Sequence, residues 1–404
     1  MNGMRADFPQ LKTNVNGHPL VYLDSAASSL KPKQVLDAIY HFYANEYANV
    51  GRGVYFLAES ATIQYEKARA LVAQFIRTNA NNVIFTRGAT DGMNMLAHGW
   101  GMSQLQAGDE IIMPEWEHHS TLLPWQQVAK IKSVSIRFIP VLADGTLDES
   151  AVEKLISKKT KAIIIAHESN VFGTLIDLKK YSDFAKKQGM RLFVDAAQSA
   201  PHGLVDLSTI SVDALVFSGH KMCGPTGIGV LYLNDSMMEQ MPPVQFGGGM
   251  VYQASLENAQ WRKGPHKFEA GTPAIAQAIG LGAAVTYLMD HVDFVQLRAH
   301  QAALCAQLIA GLQKITRARI HGPIAQLQKE GHLVSFELDQ VPVHDAAAFL
   351  GARGICVRAG NLCAQPVAQK LKIQGLIRAS FYIYSTTQDV ESLLQAIKEL
   401  LKIF

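Results

Sequence analysis

Short runs of apolar residues alternate with longer amphipathic segments from about residue 20 to residue 290. The apolar runs predict strands at VIFT (83–86), EIIMP (110–114), IRFIP (136–140), AIIIAHE (162–168), RLFVDAA (191–197), ALVFS (214–218) and GVLYL (229–233). The segments between them predict helices at 92–100, 120–132, 148–157 and 178–188. Because the runs are continuous rather than alternating, we expect both strand faces to be covered, as in a largely parallel sheet with crossover helices.

The pattern changes after a predicted helix near 274–290. A long helical segment (293–315) leads to shorter predicted strands, which are 332–338, 355–358 and 376–383, and to a final helix at 387–402. This order is typical of a smaller α+β domain. We therefore predict an N-terminal segment (1–20) that packs with the small domain, a large domain (21–290) and a small C-terminal domain (291–404).

Composition and charge narrow the class of protein. The chain has 404 residues, 48% hydrophobic and 18% charged, which is typical of a globular protein, and its net charge of +3 indicates neither a nucleic-acid nor a membrane partner. The start, MNGMRADFPQLK, lacks a signal-peptide pattern, so we expect a cytoplasmic protein. The four cysteines show no metal-type spacing, and we predict reduced thiols and no metal site.

Polar side chains follow five of the predicted strands, where ligands bind in open α/β sheets. They are Arg87 to Thr90, Glu115 to His119, His167 to Asn170, Asp195 with Gln198, and Ser218 with His220 and Lys221. Each group alone could be an ordinary loop. Together they predict one site at this edge of the sheet.

The chemistry of these residues favours pyridoxal phosphate. Backbone N–H groups and a hydroxyl at Gly88-Ala89-Thr90 suit a phosphate at a helix start, with Ser218 and His220 as further donors. Asp195 can keep a pyridinium nitrogen protonated, and a Schiff base would remove the costly buried ammonium of Lys221. A dinucleotide fold is the competing interpretation, but no G-x-G-x-x-G follows the first strand.

Nine segments then resemble the cysteine desulfurases, and are most similar to their group II, SufS/CsdA-like branch. They are VYLDSAASSLKP (21–32), FTRGATDGMN (85–94), EHHSTLLPW (117–125), SNVFGT (169–174), VDAAQSAPH (194–202), FSGHKMCGPTGIGVLY (217–232), GGGM (247–250), KFEAGTP (267–273) and RAGNLCAQP (358–366). The resemblance implies the α/β fold of fold-type I pyridoxal-phosphate enzymes, with a mainly parallel seven-stranded sheet in the large domain. It also implies a homodimer that completes each active site.

The resemblance implies a role for each matching residue. Lys221 would be the Schiff-base lysine and the base, His118 would stack on the cofactor ring and relay protons, and Cys363 would be the nucleophile. The cofactor would be held by Asp195 at the ring nitrogen, Gln198 at the phenolic oxygen, Ala89, Thr90, Ser218 and His220 at the phosphate, and Thr272 from the partner subunit. Asn170, Arg378 and Arg358 would bind the substrate carboxylate, which a planar guanidinium suits.

The resemblance also implies the reaction: L-cysteine becomes L-alanine while its sulfur is left as a persulfide on Cys363. A sulfur-acceptor protein of the SufE/CsdE-like kind would then take the sulfur for iron–sulfur cluster assembly. Two features depart from the family pattern. Asn361-Leu362 precede Cys363, where the family usually has histidine, and Gly51 and Tyr55 stand where histidines are common. The alternatives are a selenocysteine lyase acting on L-selenocysteine, another pyridoxal-phosphate enzyme on the same scaffold, and a non-catalytic assembly scaffold.

Overall fold

A computed structural model describes residues 3–404, so residues 1 and 2 of the predicted N-terminal segment lie outside it. The helices are α1 (Lys33–His41), α2 (Phe56–Phe75), α3 (Ala89–Leu96), α4 (Met102–Gln104), α5 (His119–Lys132), α6 (Glu149–Leu155), α7 (Leu178–Gln188), α8 (Asp235–Gln240), α9 (Ile275–His291), α10 (Phe294–Leu312), α11 (Ile324–Glu330), α12 (Val343–Ala352), α13 (Gln365–Lys370) and α14 (Thr387–Leu400).

The strands are mostly short. They are β1 (Asn14–Val15), β2 (His18–Pro19), β3 (Val21–Tyr22), β4 (Val83–Thr86), β5 (Glu110–Pro114), β6 (Ser135–Ile139), β7 (Thr160–Ala166), β8 (Arg191–Asp195), β9 (Ala214–Ser218), β10 (Gly229–Leu233), β11 (Val251–Ala254), β12 (Ala259–Trp261), β13 (Ala318–His321), β14 (Leu333–Leu338), β15 (Ile355–Cys356), β16 (Arg358–Gly360) and β17 (Leu376–Ser380).

Seven strands form the large sheet, in the order β4-β10-β9-β8-β7-β5-β6. The pairs among β5 to β9 are parallel, whereas β10 is antiparallel to both β4 and β9. The chain between β9 and β10 (219–228) is shorter than the dozen or more residues that a parallel crossover needs, so β10 returns antiparallel. The predicted α/β fold with a mainly parallel seven-stranded sheet is confirmed.

The continuous apolar runs are buried on both faces, as predicted. In β8, Leu192 and Val194 join one hydrophobic core and Phe193 joins the second core on the opposite face. The edge strand β6 is different, because it includes Ser135 and Arg137 and most of its residues stay at least partly exposed.

The C-terminal part forms a second sheet of four antiparallel strands, in the order β13-β14-β17-β16. The predicted strand 355–358 is two strands in different sheets, since β15 pairs with β3 and β16 pairs with β17. The β3–β15 pair and an ion pair of 2.9 Å between Arg5 and Asp389 link the chain's N-terminal region to its C-terminal part.

Within residues 3–404, no helix taken singly has the length and apolar character needed to cross a membrane. The helices α9 and α10 meet such a criterion only as a pair, and they are bent by 87° relative to each other.

Candidate active site

One cavity of about 270 Å³ lies at the carboxyl ends of β7, β8 and β9. It brings together every residue to which the family resemblance gives a role, except Thr272. Its lining includes Ala89, Thr90, His118, Asn170, Asp195, Gln198, Ser218, His220, Lys221, Arg358, Cys363 and Arg378.

Thr272 lies outside this cavity. Its side chain is exposed and lines a separate cavity of about 760 Å³, together with Arg52 and His266. Its assignment to the partner subunit's phosphate therefore stays a prediction.

Asp195 is the last residue of β8 and is buried. Its Oδ1 accepts a hydrogen bond from the Ala197 backbone at 2.9 Å, and its Oδ2 accepts one from the Thr121 hydroxyl at 3.1 Å. Burial raises the pKa of the carboxyl, while these bonds and the positive charge of Lys221 oppose the rise. A cationic ring nitrogen placed beside it would offset the cost of the buried charge.

Lys221 follows β9 in a single 3₁₀ turn, Gly219–Lys221. Burial lowers its pKa to about 8, against the opposing effect of Asp195, so about a tenth of its amine is neutral and nucleophilic at pH 7. The turn is tethered through the carbonyl of His220, which accepts hydrogen bonds from the Ser29 backbone at 3.0 Å and from Lys31 Nζ at 3.0 Å. The lysine is thus reactive and firmly placed.

The start of α3 forms a cradle that suits a phosphate. Gly88 precedes the helix at φ +152°, where a side chain would be strained, and a Cβ there would lie 3.3 Å from Ser218 Oγ. The Ala89 backbone donates to Ser218 Oγ at 2.8 Å, so the hydrogen of that hydroxyl remains free to donate. The Thr90 hydroxyl lines the same corner. Helix N–H groups and hydroxyls are the donors that phosphates bind.

His118 caps α5, and its Nδ1 accepts a hydrogen bond from the Ser120 backbone at 3.0 Å. Burial, reinforced by the positive charge of Lys221, lowers its pKa to about 3, so the ring is neutral. Since Nδ1 is an acceptor, the proton of the neutral ring is on Nε2. A neutral imidazole suits both stacking on an aromatic ring and proton relay.

Two arginines line the cavity and share one carboxylate. Arg358 and Arg378 are paired across β16 and β17, and both contact Asp24: Arg358 Nη2 lies 2.6 Å from its carboxylate and Arg378 Nη2 lies 3.7 Å away. One positive charge is left uncompensated. Arg378 Nη1 donates to the Asn170 carbonyl at 2.6 Å, but its buried Nε has no partner among residues 3–404. This arrangement suits a bound carboxylate.

Cys363 lies on an exposed loop at the rim of the cavity. Leu362 and Cys363 both adopt left-handed backbone conformations, with φ of +50° and +58°. Asn170 Nδ2 donates to the Leu362 carbonyl at 2.7 Å, and the His119 backbone donates to the Cys363 carbonyl at 2.9 Å. The loop is thus attached to the large domain at two points beside the cavity.

These residues fit pyridoxal phosphate. The cradle at Gly88 matches its phosphate, the buried Asp195 matches its ring nitrogen, and Lys221 matches its aldehyde. Sequence reasoning placed these groups because they directly follow predicted strands.

Sequence reasoning gave no role to several other residues of the site. Asp24 orders the two arginines, His119 holds the Cys363 loop, and Glu117 is buried with one oxygen bonded to the Ala166 backbone at 2.8 Å. Burial raises the pKa of Glu117 well above its ordinary value. Glu117 and His119 belong to the polar group Glu115 to His119 that was predicted at this edge of the sheet, although without a role for either residue. No pattern in the sequence signals the pairing of Asp24 with two distant arginines.

Comparisons with known proteins identify the family and match the fold. The profile of the aminotransferase class-V family matches residues 21–393. A probable cysteine desulfurase of Halalkalibacterium halodurans is 44% identical over 97% of this chain and 96% of its own length. The apo structure of a cysteine desulfurase from Thermococcus onnurineus NA1 superposes with a TM-score of 0.94 at 37% identity, covering 100% of this chain and 98% of that one. The cysteine desulfurase CsdA of Escherichia coli superposes with a TM-score of 0.92 at 36% identity, with the same coverage.

Proposed function

The chain belongs to the aminotransferase class-V family as a pyridoxal-phosphate-dependent cysteine desulfurase, and from this premise we propose that it leaves the sulfur of L-cysteine as a persulfide on Cys363. An acceptor protein then takes that sulfur for iron–sulfur cluster assembly. The observation that carries the proposal is the position of Cys363, which is exposed to solvent and yet lines the same cavity as Lys221 and Arg378.

The sulfur step balances without an external oxidant. The Cys363 thiolate attacks the substrate sulfur, an S–S bond forms, and the substrate's carbon–sulfur bond breaks with its electron pair remaining on the carbon skeleton. Protonation of that skeleton gives alanine. The sum is L-cysteine plus a protein thiol giving L-alanine plus a protein persulfide.

The residues of the cavity divide this work. Arg378, ordered by Asp24, binds the substrate carboxylate and fixes the amino acid's orientation. Lys221, whose amine is neutral in part near neutral pH, removes the Cα proton. When bound, pyridoxal phosphate supplies the electron sink for that proton's electron pair. His118 presents its protonated Nε2 as a hydrogen-bond donor.

A homodimer is part of the proposal. Large apolar side chains stand exposed around the start of α2, among them Val54, Phe56 and Ile63, which are 92%, 80% and 68% exposed. An apolar patch of this kind suits a protein partner. Thr272 is exposed in a cavity lined partly by the same region, where it could serve a second copy of the chain.

Peptide mass spectrometry after treatment with L-cysteine tests the proposal. We expect one added sulfur atom on the peptide that contains Cys363, with one alanine formed for each persulfide. The buried Cys223 and Cys305 serve as internal controls. Alanine formation with the added sulfur on Cys356, or with free sulfide and no persulfide, would overturn the role of Cys363 while leaving the desulfurase activity standing.

A further inference from the structure

A chain of three buried polar side chains lies behind the cavity. Gln198, His332 and Glu168 are 4%, 2% and 3% exposed. Gln198 Oε1 lies 3.3 Å from His332 Nε2, and His332 Nδ1 lies 2.6 Å from Glu168 Oε1. Gln198 and Glu168 line the cavity, so the chain begins and ends at the site.

The direction of each hydrogen bond follows from one fixed acceptor. Gln198 Nε2 donates to the backbone carbonyl of Ala26 at 2.9 Å. A carbonyl oxygen only accepts, so the nitrogen of the amide faces Ala26 and its oxygen faces His332. His332 must then donate from Nε2. The second hydrogen of Gln198 Nε2 remains free.

One proton must lie between His332 and Glu168. A neutral His332 that donates from Nε2 has a bare Nδ1, and two acceptors do not approach to 2.6 Å without a proton between them. Glu168 Oε2 is buried without a hydrogen-bond partner in the described part of the chain. A neutral carboxylic acid tolerates such an oxygen better than a carboxylate does.

The surroundings place that proton on Glu168. Burial raises the pKa of Glu168 to about 8, and it lowers the pKa of His332 to about 3 with help from the positive charges of Arg378 and Lys221. Other titratable or charged groups face this pair: His202, whose ring centroid is 4.2 Å from that of His332, and Glu330, Arg298 and Cys305.

We propose that His332 and Glu168 are positioning residues that lock the amide of Gln198, so that its free Nε2 hydrogen is kept for the phenolic oxygen of the cofactor. This inference rests on the role that the family resemblance implies for Gln198 at that oxygen. Without the donor of His332, the bond to the Ala26 carbonyl is the one contact left to orient the amide, and its second Nε2 hydrogen is aimed less firmly at the cofactor.

We call the arrangement in which Glu168 and His332 hold the amide of Gln198 the lock, and it has a spectroscopic consequence. A hydrogen bond donated to the phenolic oxygen stabilises its negative charge, which is greatest when the nitrogen linking Lys221 to the cofactor has lost its proton. The bond therefore lowers the pKa of that nitrogen. Its loss raises the pKa, and the visible absorption band of the holoenzyme reports the change.

Absorbance titration of the holoenzyme tests the inference. His332→Phe removes the donor but keeps a ring. We expect it to raise the pH at the midpoint of the absorbance titration by about one unit, which is a tenfold change in the proton equilibrium. In Glu168→Gln the new amide still donates to Nδ1, so its midpoint should stay within about a third of a pH unit of the wild type.

Gln198→Leu separates this inference from its premise. If Gln198→Leu raises the midpoint and His332→Phe does not, the lock is wrong and the role of Gln198 stands. If neither variant shifts the midpoint, the role of Gln198 is wrong, and the lock, which depends on that role, is wrong as well.

Should His332→Phe fail to fold, ¹⁵N-histidine NMR of the wild-type holoenzyme decides the question. A protonated Nε2 on His332 between pH 6 and pH 8 supports the lock. An unprotonated Nε2 overturns it.

Discussion

The two sides of the active-site cavity are built in opposite ways. On the sheet side, Asp195 is the last residue of β8 and Lys221 ends the turn after β9, and burial shifts the pKa of both. On the other side, Cys363 is exposed on a loop in a left-handed conformation. We name the first the cofactor side and the second the sulfur side.

The difference matches two chemical demands. Proton removal from an amino acid needs dry, fixed groups whose pKa values have been moved toward the working pH. Transfer of a sulfur atom to another protein needs a thiol that the other protein can reach. A variant on the cofactor side should therefore stop all chemistry, and one on the sulfur side should stop only the chemistry that needs a thiol.

The largest effect should come from Lys221→Ala. Without the amine no covalent link to the cofactor forms and no base removes the Cα proton, so alanine formation should fall by about 10⁴-fold. Borohydride trapping of the cofactor, followed by alanine assay, measures both. Lys31→Ala is the matched control, because Lys31 is a nearby lysine with a pKa lowered by burial to about 8. Trapping that survives in Lys221→Ala but not in Lys31→Ala would move the role to Lys31.

On the sulfur side, Cys363→Ala should separate two substrates. Cleavage of a carbon–sulfur bond needs the thiolate to receive the sulfur, so alanine formation from L-cysteine should fall by about 10³-fold or more. A selenol leaves more readily, so L-selenocysteine should keep substantial turnover. Parallel alanine assays measure this, with Cys356→Ala as the control on the neighbouring half-buried thiol. Equal losses on both substrates would show that Cys363 serves more than sulfur transfer.

On the cofactor side, Asp195→Asn should slow both substrates alike. The amide keeps an acceptor for the Ala197 backbone but loses the charge that holds a ring nitrogen protonated, so turnover should fall by about 10²-fold. Thr121→Val, which removes only the bond to Oδ2, should cost about fivefold. Turnover rates on L-cysteine and L-selenocysteine test this, and a loss confined to L-cysteine would contradict the division between the two sides.

The cofactor side was also the more predictable side. Asp195 and Lys221 follow apolar runs directly, so a local pattern was enough to place them at one edge of the sheet. The lock behind Gln198 joins Glu168 to His332, which are 164 positions apart and lie next to strands of different sheets, so no local pattern signals it. Asn170 was expected to bind the substrate, yet its Nδ2 also bonds the loop at Leu362, a contact that depends on tertiary packing.

Replacing Lys221 should also change the free energy of unfolding of the apoprotein, and this effect is smaller than the losses of turnover above. The pKa of Lys221 is lowered from 10.5 to about 8 in the folded chain, so its contribution to stability is full above pH 10.5 and is lost as the pH falls through 8. At pH 7, Lys221→Met should therefore stabilise the apoprotein by about 1–3 kcal/mol. Urea unfolding between pH 6.5 and pH 9.5 measures this, and the gap should narrow as the pH rises. A constant gap would mean that packing rather than charge is responsible.

The smallest effect should come from loosening the sulfur side without touching its thiol. Asn170→Ala removes the 2.7 Å bond to the Leu362 carbonyl, and one such bond contributes about 1 kcal/mol, so kcat for L-cysteine should fall about fivefold. Cofactor binding and the turnover of L-selenocysteine should change less, because the thiol is needed less there. Asn361→Ala is the matched control, since it removes the same amide from an exposed position of the same loop. If Asn170→Ala instead raises KM strongly for both substrates, its amide binds the substrate carboxylate, and the loop is held by the His119 backbone alone.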